Sequence, residues 1–259
     1  MPDPLHLALL FAAAVVGGAL NSVAGGGSFF TFPALIFAGV APIPANATST
    51  VALWPGTLAS AAGYREELRH DRRVLVAFGL AGVVGGVAGA VILLLTPSDV
   101  FEGLVPFLLL AATLLFAFGG PVTRWLRRKE AGHHHERGPD LLAMTAVMLV
   151  ISVYGGYFGG GMGFMLLAAF AAMGMTSVHH MNGLKTLLTA AVNGVAIVTF
   201  VAAGIIVWPL ALLMVGGSVL GGYAGARIAR RVDPAKVRGL VIAAGAGMSA
   251  YFFWATYLA

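Results

Sequence analysis

The sequence has 259 residues, of which 59% are hydrophobic and only 10% are charged, with a formal net charge of +5 and no cysteine. A soluble domain carries about 25% charged residues, so this composition excludes a soluble globular protein. The absence of cysteine excludes disulfide bonds, thiolate metal sites and cysteine nucleophiles. Apolar runs of helical length recur along the whole chain and predict an all-α polytopic membrane protein.

The apolar runs predict ten helical segments in two groups of five. The first segment lacks the lysine or arginine that opens a secretory signal peptide, so it is predicted to be a retained membrane segment. The second segment of each group is short, since 28–40 spans only about 20 Å at 1.5 Å per residue, against a hydrocarbon core of about 30 Å. Both second segments are therefore expected to be half-depth helices beside broken backbone. The predicted segments are 4–20, 28–40, 46–63, 74–95 and 101–119, followed by 141–156, 160–175, 184–205, 208–228 and 239–257.

The basic residues predict how these segments are oriented. Fourteen of the fifteen lysines and arginines lie in 65–73, 124–137 and 227–238, and the positive-inside rule places such short loops in the cytoplasm. The loop around Asp99 has two acids and no base, so it is expected outside, as is the uncharged turn before Trp208. Because the basic residues are confined to short clusters between apolar runs, they indicate membrane orientation and argue against nucleic-acid binding.

Sequence motifs recur along the chain at nearly constant spacing. The motif "GGVAGA" at 85–90 returns 136 residues later as "GGYAGA", and Asn46 maps onto Asn182 with the same offset. The triplet "GGG" at 25–27 returns at 159–161. The spacing predicts a duplicated unit, and the small residues of the first motif favour close helix packing.

The loops at equivalent places in the two units lie on opposite sides of the membrane. The basic loop at 65–73 corresponds to the uncharged turn near Trp208. The two units are therefore predicted to be inverted repeats of about five helical segments each, an architecture that many secondary transporters share. The predicted division is a first repeat at 1–120, a cytoplasmic basic loop at 121–140 and a second repeat at 141–259.

Three consecutive glycines interrupt a predicted helix in each half. A continuous helix would lose about 1 kcal/mol per glycine relative to alanine, so the backbone is expected to unwind at 25–27 and 159–161. Ser28 can then cap the short helix that follows. In inverted halves, the helix starts converge near the midplane and offer free N–H groups and a partial positive charge to an anion. Glycines that only permit close packing are the alternative.

Prolines mark the next helix boundary of the first half. Pro42 and Pro44 are expected to end one helix, and Asn46 or Thr48 is expected to begin the next. The second half repeats this plan around 179–186, so its corresponding helix is expected to begin near residue 184.

Lys185 is the one basic residue outside the three clusters, and it corresponds to Ser49 in the first half. No acid of the membrane segments is available to pair with it, although a charge at a helix centre costs about 2.5–3.5 kcal/mol. Three interpretations are open: Lys185 meets a bound anion, it snorkels to an interface, or it is neutral at rest and carries the coupling proton. His179 and His180 are either hydrogen-bonded loop residues or groups that contact substrate or relay protons.

Two motif pairs carry a family resemblance over nearly the whole chain. They are "GGGSFFTFPALIFAGV" with "NATST", and "GYFGGGMGF" with "NGLKTLL", and together they resemble the sulfite exporter TauE/SafE family, also described as toluenesulfonate uptake permeases. The resemblance implies a bacterial inner-membrane secondary carrier for small sulfur-containing anions such as sulfite, sulfoacetate or aryl sulfonates. An apolar stretch stands in the second half where the first half has Pro33, which departs from a strictly symmetric site. The motif positions carry over to Gly25, Gly26, Gly27, Ser28, Pro33, Asn46, Thr48, Ser49, Gly159, Gly160, Gly161, Asn182 and Lys185.

Residue chemistry predicts the same class of function. A sulfite or sulfonate offers three oxygens to backbone N–H groups, hydroxyls and side-chain amides, and Lys185 supplies the countercharge. Transport is expected to occur by alternating access and to be coupled to protons or to the membrane potential. A passive anion channel is the alternative, and an intramembrane enzyme acting on lipid head groups is a third class. The predicted substrate-binding residues are Asn21, Gly25, Gly26, Gly27, Ser28, Asn46, Thr48, Ser49, Gly159, Gly160, Gly161, His180, Asn182, Lys185 and Thr186, with His179, His180 and Lys185 as a candidate proton relay.

The sequence predicts few partners beyond the substrate. No HExxH, GxSxG, Walker loop or GxGxxG-plus-acid constellation is present, so no enzyme activity, cofactor or metal site is predicted. The expected partners are the lipid bilayer and a small anion, without nucleic acid, and a homodimer is one alternative for the oligomeric state.

Overall fold

The part of the chain that the computed structural model describes, residues 3–23, 26–63, 72–130, 141–175, 177–228 and 234–258, forms ten α-helices. The prediction of an all-α protein is confirmed, and the helices follow the order of the predicted segments. They are α1 (Pro4–Val23), α2 (Ser28–Phe37), α3 (Pro42–Gly63), α4 (Arg72–Leu95), α5 (Ser98–Glu130), α6 (Leu141–Tyr157), α7 (Met162–Ala172), α8 (Val178–Ala202), α9 (Trp208–Ile228) and α10 (Pro234–Tyr257).

The outside of the helix bundle is suited to lipid. Within the described residues, five helices are long and apolar enough to cross a membrane, namely α1, α4, α5, α8 and α10. Large apolar side chains also cover the outer surface, since Leu80, Val150 and Val198 are 61%, 67% and 68% exposed. Water disfavours such a surface, whereas lipid tails solvate it. The chain is therefore a multi-pass membrane protein, as its composition predicted.

The second helix of each half is short, as predicted. α2 has 10 residues and α7 has 11, so each is only about 15–17 Å long at 1.5 Å per residue. Each ends before a left-handed glycine, Gly39 with a φ of 82° and Gly174 with a φ of 80°. The amide of Val40 donates to the carbonyl of Leu35 at 3.0 Å, which completes a Schellman cap. These caps end both helices three residues before the predicted ends.

Three predicted helix starts are wrong by one to two turns, and one of them is α10, which begins at Pro234 and not at residue 239. α3 begins at Pro42, so Pro42 and Pro44 lie in its first turn and do not end the preceding helix. Proline fits there because the first amides of a helix need no intrahelical acceptor. α8 begins directly after Ser177, whose hydroxyl accepts a hydrogen bond from the backbone amide of His180 at 3.3 Å. The helix therefore starts before the predicted residue 184.

The end of the first half also differs from the prediction. α5 continues to Glu130, so residues 121–130 of the predicted 121–140 loop are helical. Residues 131–140 lie outside the described residues. The placement of this region in the cytoplasm stays a prediction.

Most contacts between helices have a counterpart in which both helices are replaced by the equivalent helices of the other half. α1 packs along α9, and α6 packs along α4 in the same way. Likewise α3 contacts α9 while α8 contacts α4, and α5 and α10 pack against each other. α2 contacts α1 and α3, as α7 contacts α6 and α8. The exchange agrees with a duplicated unit, while the inversion of the halves across the membrane stays a prediction.

Glycines permit the two most extensive contacts between helices, which are those of α1 with α9 and of α4 with α6. A Cβ atom on Gly89 of α4 would overlap the carbonyl oxygen of Val153 on α6. A Cβ atom on Gly221 of α9 would overlap the carbonyl oxygen of Val15 on α1. Gly89 belongs to "GGVAGA" and Gly221 to "GGYAGA", so these motifs bring helix backbones together, as small residues do at membrane helix interfaces.

Candidate functional site

The backbone between α6 and α7 turns sharply at the second glycine triplet. Gly159 has a φ of 75° and Gly161 a φ of 79°, a conformation that L side chains rarely adopt. The hydroxyl of Tyr154 donates to the carbonyl of Gly160 at 2.6 Å and fixes the turn between them. The predicted helix break is confirmed at this triplet.

The turn leaves backbone amides free at the start of α7. Within the described residues, the amides of Gly160, Gly161 and Gly163 donate no hydrogen bond. Free amides and the partial positive charge at the start of a helix form an arrangement that binds anions. The start of α7 is therefore suited to an anionic ligand.

Lys185 lies beside this helix start. Its Cδ atom is 3.4 Å from the point where a side chain on Gly163 would begin, so the lysine stem crosses α7 at a residue that has no side chain. Lys185 is partly buried, and its ammonium group has neither an ion-pair partner nor a hydrogen-bond acceptor among the described residues. The stem of Lys185 and the helix start with the free amides thus lie close together, and the ammonium forms no ion pair with a described carboxylate.

Further polar residues share one face of α8 with Lys185. Residues spaced three and four apart lie on one side of a helix. The Oδ1 atom of Asn193 is 4.0 Å from the point where a side chain on Gly159 would begin, so this face also contacts the glycine break. Sequence reasoning missed Thr189 and Asn193, although their spacing from Lys185 was a usable signal. The α8 polar face consists of Asn182, Lys185, Thr186, Thr189 and Asn193.

Asn46 links the first half to the glycine break of the second half. Its side-chain amide donates to the carbonyl of Tyr157 at 3.0 Å, and the Asn46 side chain is buried. The last carbonyls of a helix have no intrahelical donor, so the amide of Asn46 caps the end of α6 from the other half. The sequence predicted Asn46 near the start of α3, whereas the structure places it in the second turn of that helix.

Replacing Asn46 with leucine is expected to destabilise the protein by about 1–3 kcal/mol, because the change removes the donor to the partly buried carbonyl of Tyr157. The measurement is the thermal unfolding midpoint of the purified protein. Thr50→Val is the matched control, because the Thr50 hydroxyl donates to the Asn46 carbonyl within the same helix at 2.9 Å. Equal midpoints for the two variants would show that the Asn46 bond between the halves contributes no stability.

The start of α2 in the first half is arranged differently. Gly27 is the N-cap of α2, with a φ of −59°, so Ser28 is the first helical residue and not the predicted cap. The hydroxyls of Ser49 and Thr31 are 2.6 Å apart, and Thr31 donates to the carbonyl of Gly27 at 3.3 Å. Ser49 occupies the position equivalent to Lys185, so the lysine has no charged counterpart in the first half.

Two predicted site residues bond to other parts of the bundle. The side-chain amide of Asn21 donates to the Thr57 hydroxyl at 3.1 Å. Asn21 also lines a cavity of about 330 Å³ between α1, α3 and α9, whose lining includes no residue of α7 or α8. The Thr48 hydroxyl accepts a hydrogen bond from the backbone amide of Val207 at 3.1 Å, directly before α9. The structure therefore does not bring Asn21 or Thr48 to Lys185.

The other predicted residues are only partly placed. Gly25 and the side chain of His179 lie outside the described residues, and Gly26 directly precedes the N-cap of α2. The hydroxyl of Thr186 donates to the carbonyl of Asn182 at 2.7 Å. The structure assembles the candidate site from the second glycine triplet and the α8 polar face, while a single site that joins both triplets stays a prediction.

Sequence comparisons identify similar proteins over nearly the whole chain. The sequence model of the family described as sulfite exporter TauE/SafE matches residues 10–252. The probable membrane transporter protein ORF9 of Sinorhizobium is 29% identical over 86% of this chain and 83% of its own length. The probable membrane transporter protein YfcA of Escherichia coli K12 is 25% identical, covering 96% of this chain and 90% of its own. A probable membrane transporter protein of Haemophilus influenzae is 25% identical, covering 91% and 90%. No solved structure matches the chain.

Proposed function

The chain belongs to the sulfite exporter TauE/SafE family, and from this premise we propose that it is a secondary transporter of a small sulfur-containing anion, either sulfite or an organosulfonate. The family and the relatives show a bacterial membrane transporter rather than an enzyme. The observation that carries the finer proposal is the position of Lys185. Its side-chain stem passes Gly163 at the start of α7, and its ammonium has no carboxylate partner among the described residues.

The proposed substrate class follows from the chemistry of these groups. Sulfite and sulfonates present three oxygens on one sulfur, so one anion can accept hydrogen bonds from several donors at once. The amides of Gly160 and Gly161 and the ammonium of Lys185 are donors without acceptors in the described structure. Hydrogen bonds between charged partners are roughly twice as strong as neutral ones. A neutral substrate would leave the lysine charge without a partner, and a cation would be repelled by it.

The proposed transport mechanism is alternating access by movement of one half against the other. Inverted repeats place substrate sites at the interface between the repeats, where broken helices meet. The bond from Asn46 to the carbonyl of Tyr157 joins the halves directly at the glycine break, so relative movement of the halves changes the site. We propose coupling to protons or to the membrane potential, because the described carboxylates of Asp3, Asp99 and Glu102 lie near helix ends and offer no ligands for sodium in the helix interiors.

A thermal-shift screen of the purified protein tests the substrate class. The ligands are sulfite, sulfate, thiosulfate, sulfoacetate, taurine and an aryl sulfonate. We expect at least one sulfur anion to raise the unfolding midpoint in a saturable manner, because a ligand at 100 times its Kd stabilises the folded state by about 2.7 kcal/mol. Uptake of the same anion into proteoliposomes is expected to saturate with concentration.

Two results would contradict the proposal. The first is the absence of stabilisation and of uptake for every sulfur anion in the screen, which would remove the substrate class. The second is an anion current that grows in proportion to voltage and concentration without saturation, which would make the protein a passive channel.

A further inference from the structure

Thr189 differs from most threonines in the helices, because its hydroxyl makes no hydrogen bond to a described residue. The hydroxyl of a helical threonine commonly donates to the carbonyl four residues earlier. Thr57 and Thr113 do so at 3.2 and 2.7 Å, and on α8 itself Thr186 and Thr199 do so at 2.7 and 2.9 Å. Among the residues that the structure describes, the Oγ1 atom of Thr189 is the one buried side-chain polar atom without a hydrogen-bond partner.

The position of Thr189 connects this unpaired hydroxyl with the candidate site. Thr189 lies one turn after Lys185 and one turn before Asn193, on the α8 polar face. Lys185 crosses α7 at Gly163, and Asn193 approaches Gly159. Since residues four apart follow one another along the same side of a helix, Thr189 lies at the level between Gly159 and Gly163. Gly160 and Gly161, whose amides donate no bond within the described structure, lie between Gly159 and Gly163 in the chain.

An unpaired buried hydroxyl destabilises a folded protein, because it has lost its hydrogen bonds to water and gained none in exchange. The acceptor that most helical threonines use was available four residues earlier, at the carbonyl of Lys185. The hydroxyl of Thr189 does not donate to that carbonyl. This indicates that the hydroxyl is kept for an acceptor that this conformation of the chain does not supply.

We propose that the hydroxyl of Thr189 donates a hydrogen bond to one oxygen of the transported anion, while Lys185 and the amides at the start of α7 bind its other oxygens. This inference rests on the proposed function and adds a specificity residue to it. Since the Oγ1 atom is shielded from solvent here, the anion reaches it when α7 and α8 separate during the transport cycle. An anion with three or more oxygens satisfies all of these donors, whereas halide ions have no such set of acceptor atoms.

The test compares Thr189→Val with Thr189→Ser in anion binding and proteoliposome uptake. Valine has nearly the shape of threonine without the hydroxyl, and serine restores the hydroxyl. We expect Thr189→Val to raise the Kd of the sulfur anion found in the screen about ten-fold, which corresponds to about 1.4 kcal/mol. We expect Thr189→Ser to bind within about two-fold of the parent protein. The unfolding midpoint of the empty Thr189→Val protein should be equal to or higher than that of the parent, because an unpaired buried hydroxyl is removed.

Thr199→Val is the matched control on the same helix. The Thr199 hydroxyl already donates to the carbonyl of Val195, and Thr199 lies off the α8 polar face, so anion binding should be unchanged. The proposal is overturned if Thr189→Val leaves the Kd unchanged while Lys185→Met removes binding, and in that case the proposed function stands. It is also overturned if uptake slows with an unchanged Kd, since the hydroxyl would then serve the conformational step. If a sulfur anion binds and neither variant alters its Kd, the anion site at Lys185 and Thr189 is wrong; if no sulfur anion binds even to the parent protein, the inference and the proposed function both fail.

Discussion

Replacing Lys185 with methionine is expected to weaken anion binding by roughly 30-fold or more and to remove detectable uptake. Truncating one member of a buried, hydrogen-bonded charge pair costs about 2–5 kcal/mol, and the described residues bring no second cation to the start of α7. The empty protein should be as stable as the parent or more stable, because a lysine within a membrane helix costs about 2.5–3.5 kcal/mol on insertion scales. Binding, uptake and the unfolding midpoint are measured on the same preparations.

Arg73→Met is the matched control for this experiment. It removes the same unit of charge from an exposed position at the start of α4, so uptake should stay close to that of the parent protein. If Lys185→Met transports the anion normally, the countercharge role is wrong, and snorkelling to an interface becomes the better explanation. If binding survives while coupled uptake is lost, Lys185 carries the coupling proton.

Gly89→Ala is expected to cause a large loss of stability, about 3 kcal/mol, with a midpoint lower by roughly 6–12 °C. The added methyl group would overlap the carbonyl oxygen of Val153 and lie 2.7 Å from the amide nitrogen of Tyr157. Both atoms belong to the backbone of α6, so no side-chain rotation can relieve the overlap. α4 and α6 must separate along their contact.

Gly79→Ala in the same helix isolates this packing effect from helix propensity. A Cβ atom on Gly79 meets nothing within 4 Å, and alanine favours a helix by about 1 kcal/mol over glycine. Gly79→Ala should therefore unfold at the same temperature as the parent or at a higher one. A normal midpoint for Gly89→Ala would show that α4 and α6 are not packed backbone to backbone.

The helices could be predicted from the sequence because their signals are long runs of apolar residues. All ten predicted segments correspond to helices, and both short second helices were expected from their length. The starts of α3 and α8 were missed for a local reason. Pro42 and Pro44 predict a helix end, but proline also fits the first turn of a helix, and the structure shows Ser177 as the cap of α8.

The candidate site was less accessible to sequence reasoning. Lys185 could be found because it is the one base outside the basic clusters. The spacing of Thr189 from Lys185 indicates a shared helix face, but the unpaired state of its hydroxyl could not be predicted, because a threonine that lacks a hydrogen bond looks the same in a sequence as one that has it. The bond from Asn46 to the carbonyl of Tyr157 involves a backbone atom more than a hundred residues away, and no residue type at either position specifies that pair. The unpaired hydroxyl of Thr189 and the bond made by Asn46 become visible only once the packing of the helices is known.

The exchange of helix partners between the halves also has a consequence for biosynthesis. The main neighbour of α1 is α9, which emerges from the ribosome only after most of the chain has been made and inserted. Until α9 is inserted, the surface of α1 around Val15 that later packs against α9 contacts lipid or a chaperone instead. A chain truncated before α9 should thus be recognised by membrane quality control as incomplete, and fragments 1–130 and 131–259 should accumulate stably only when they are produced together in one cell.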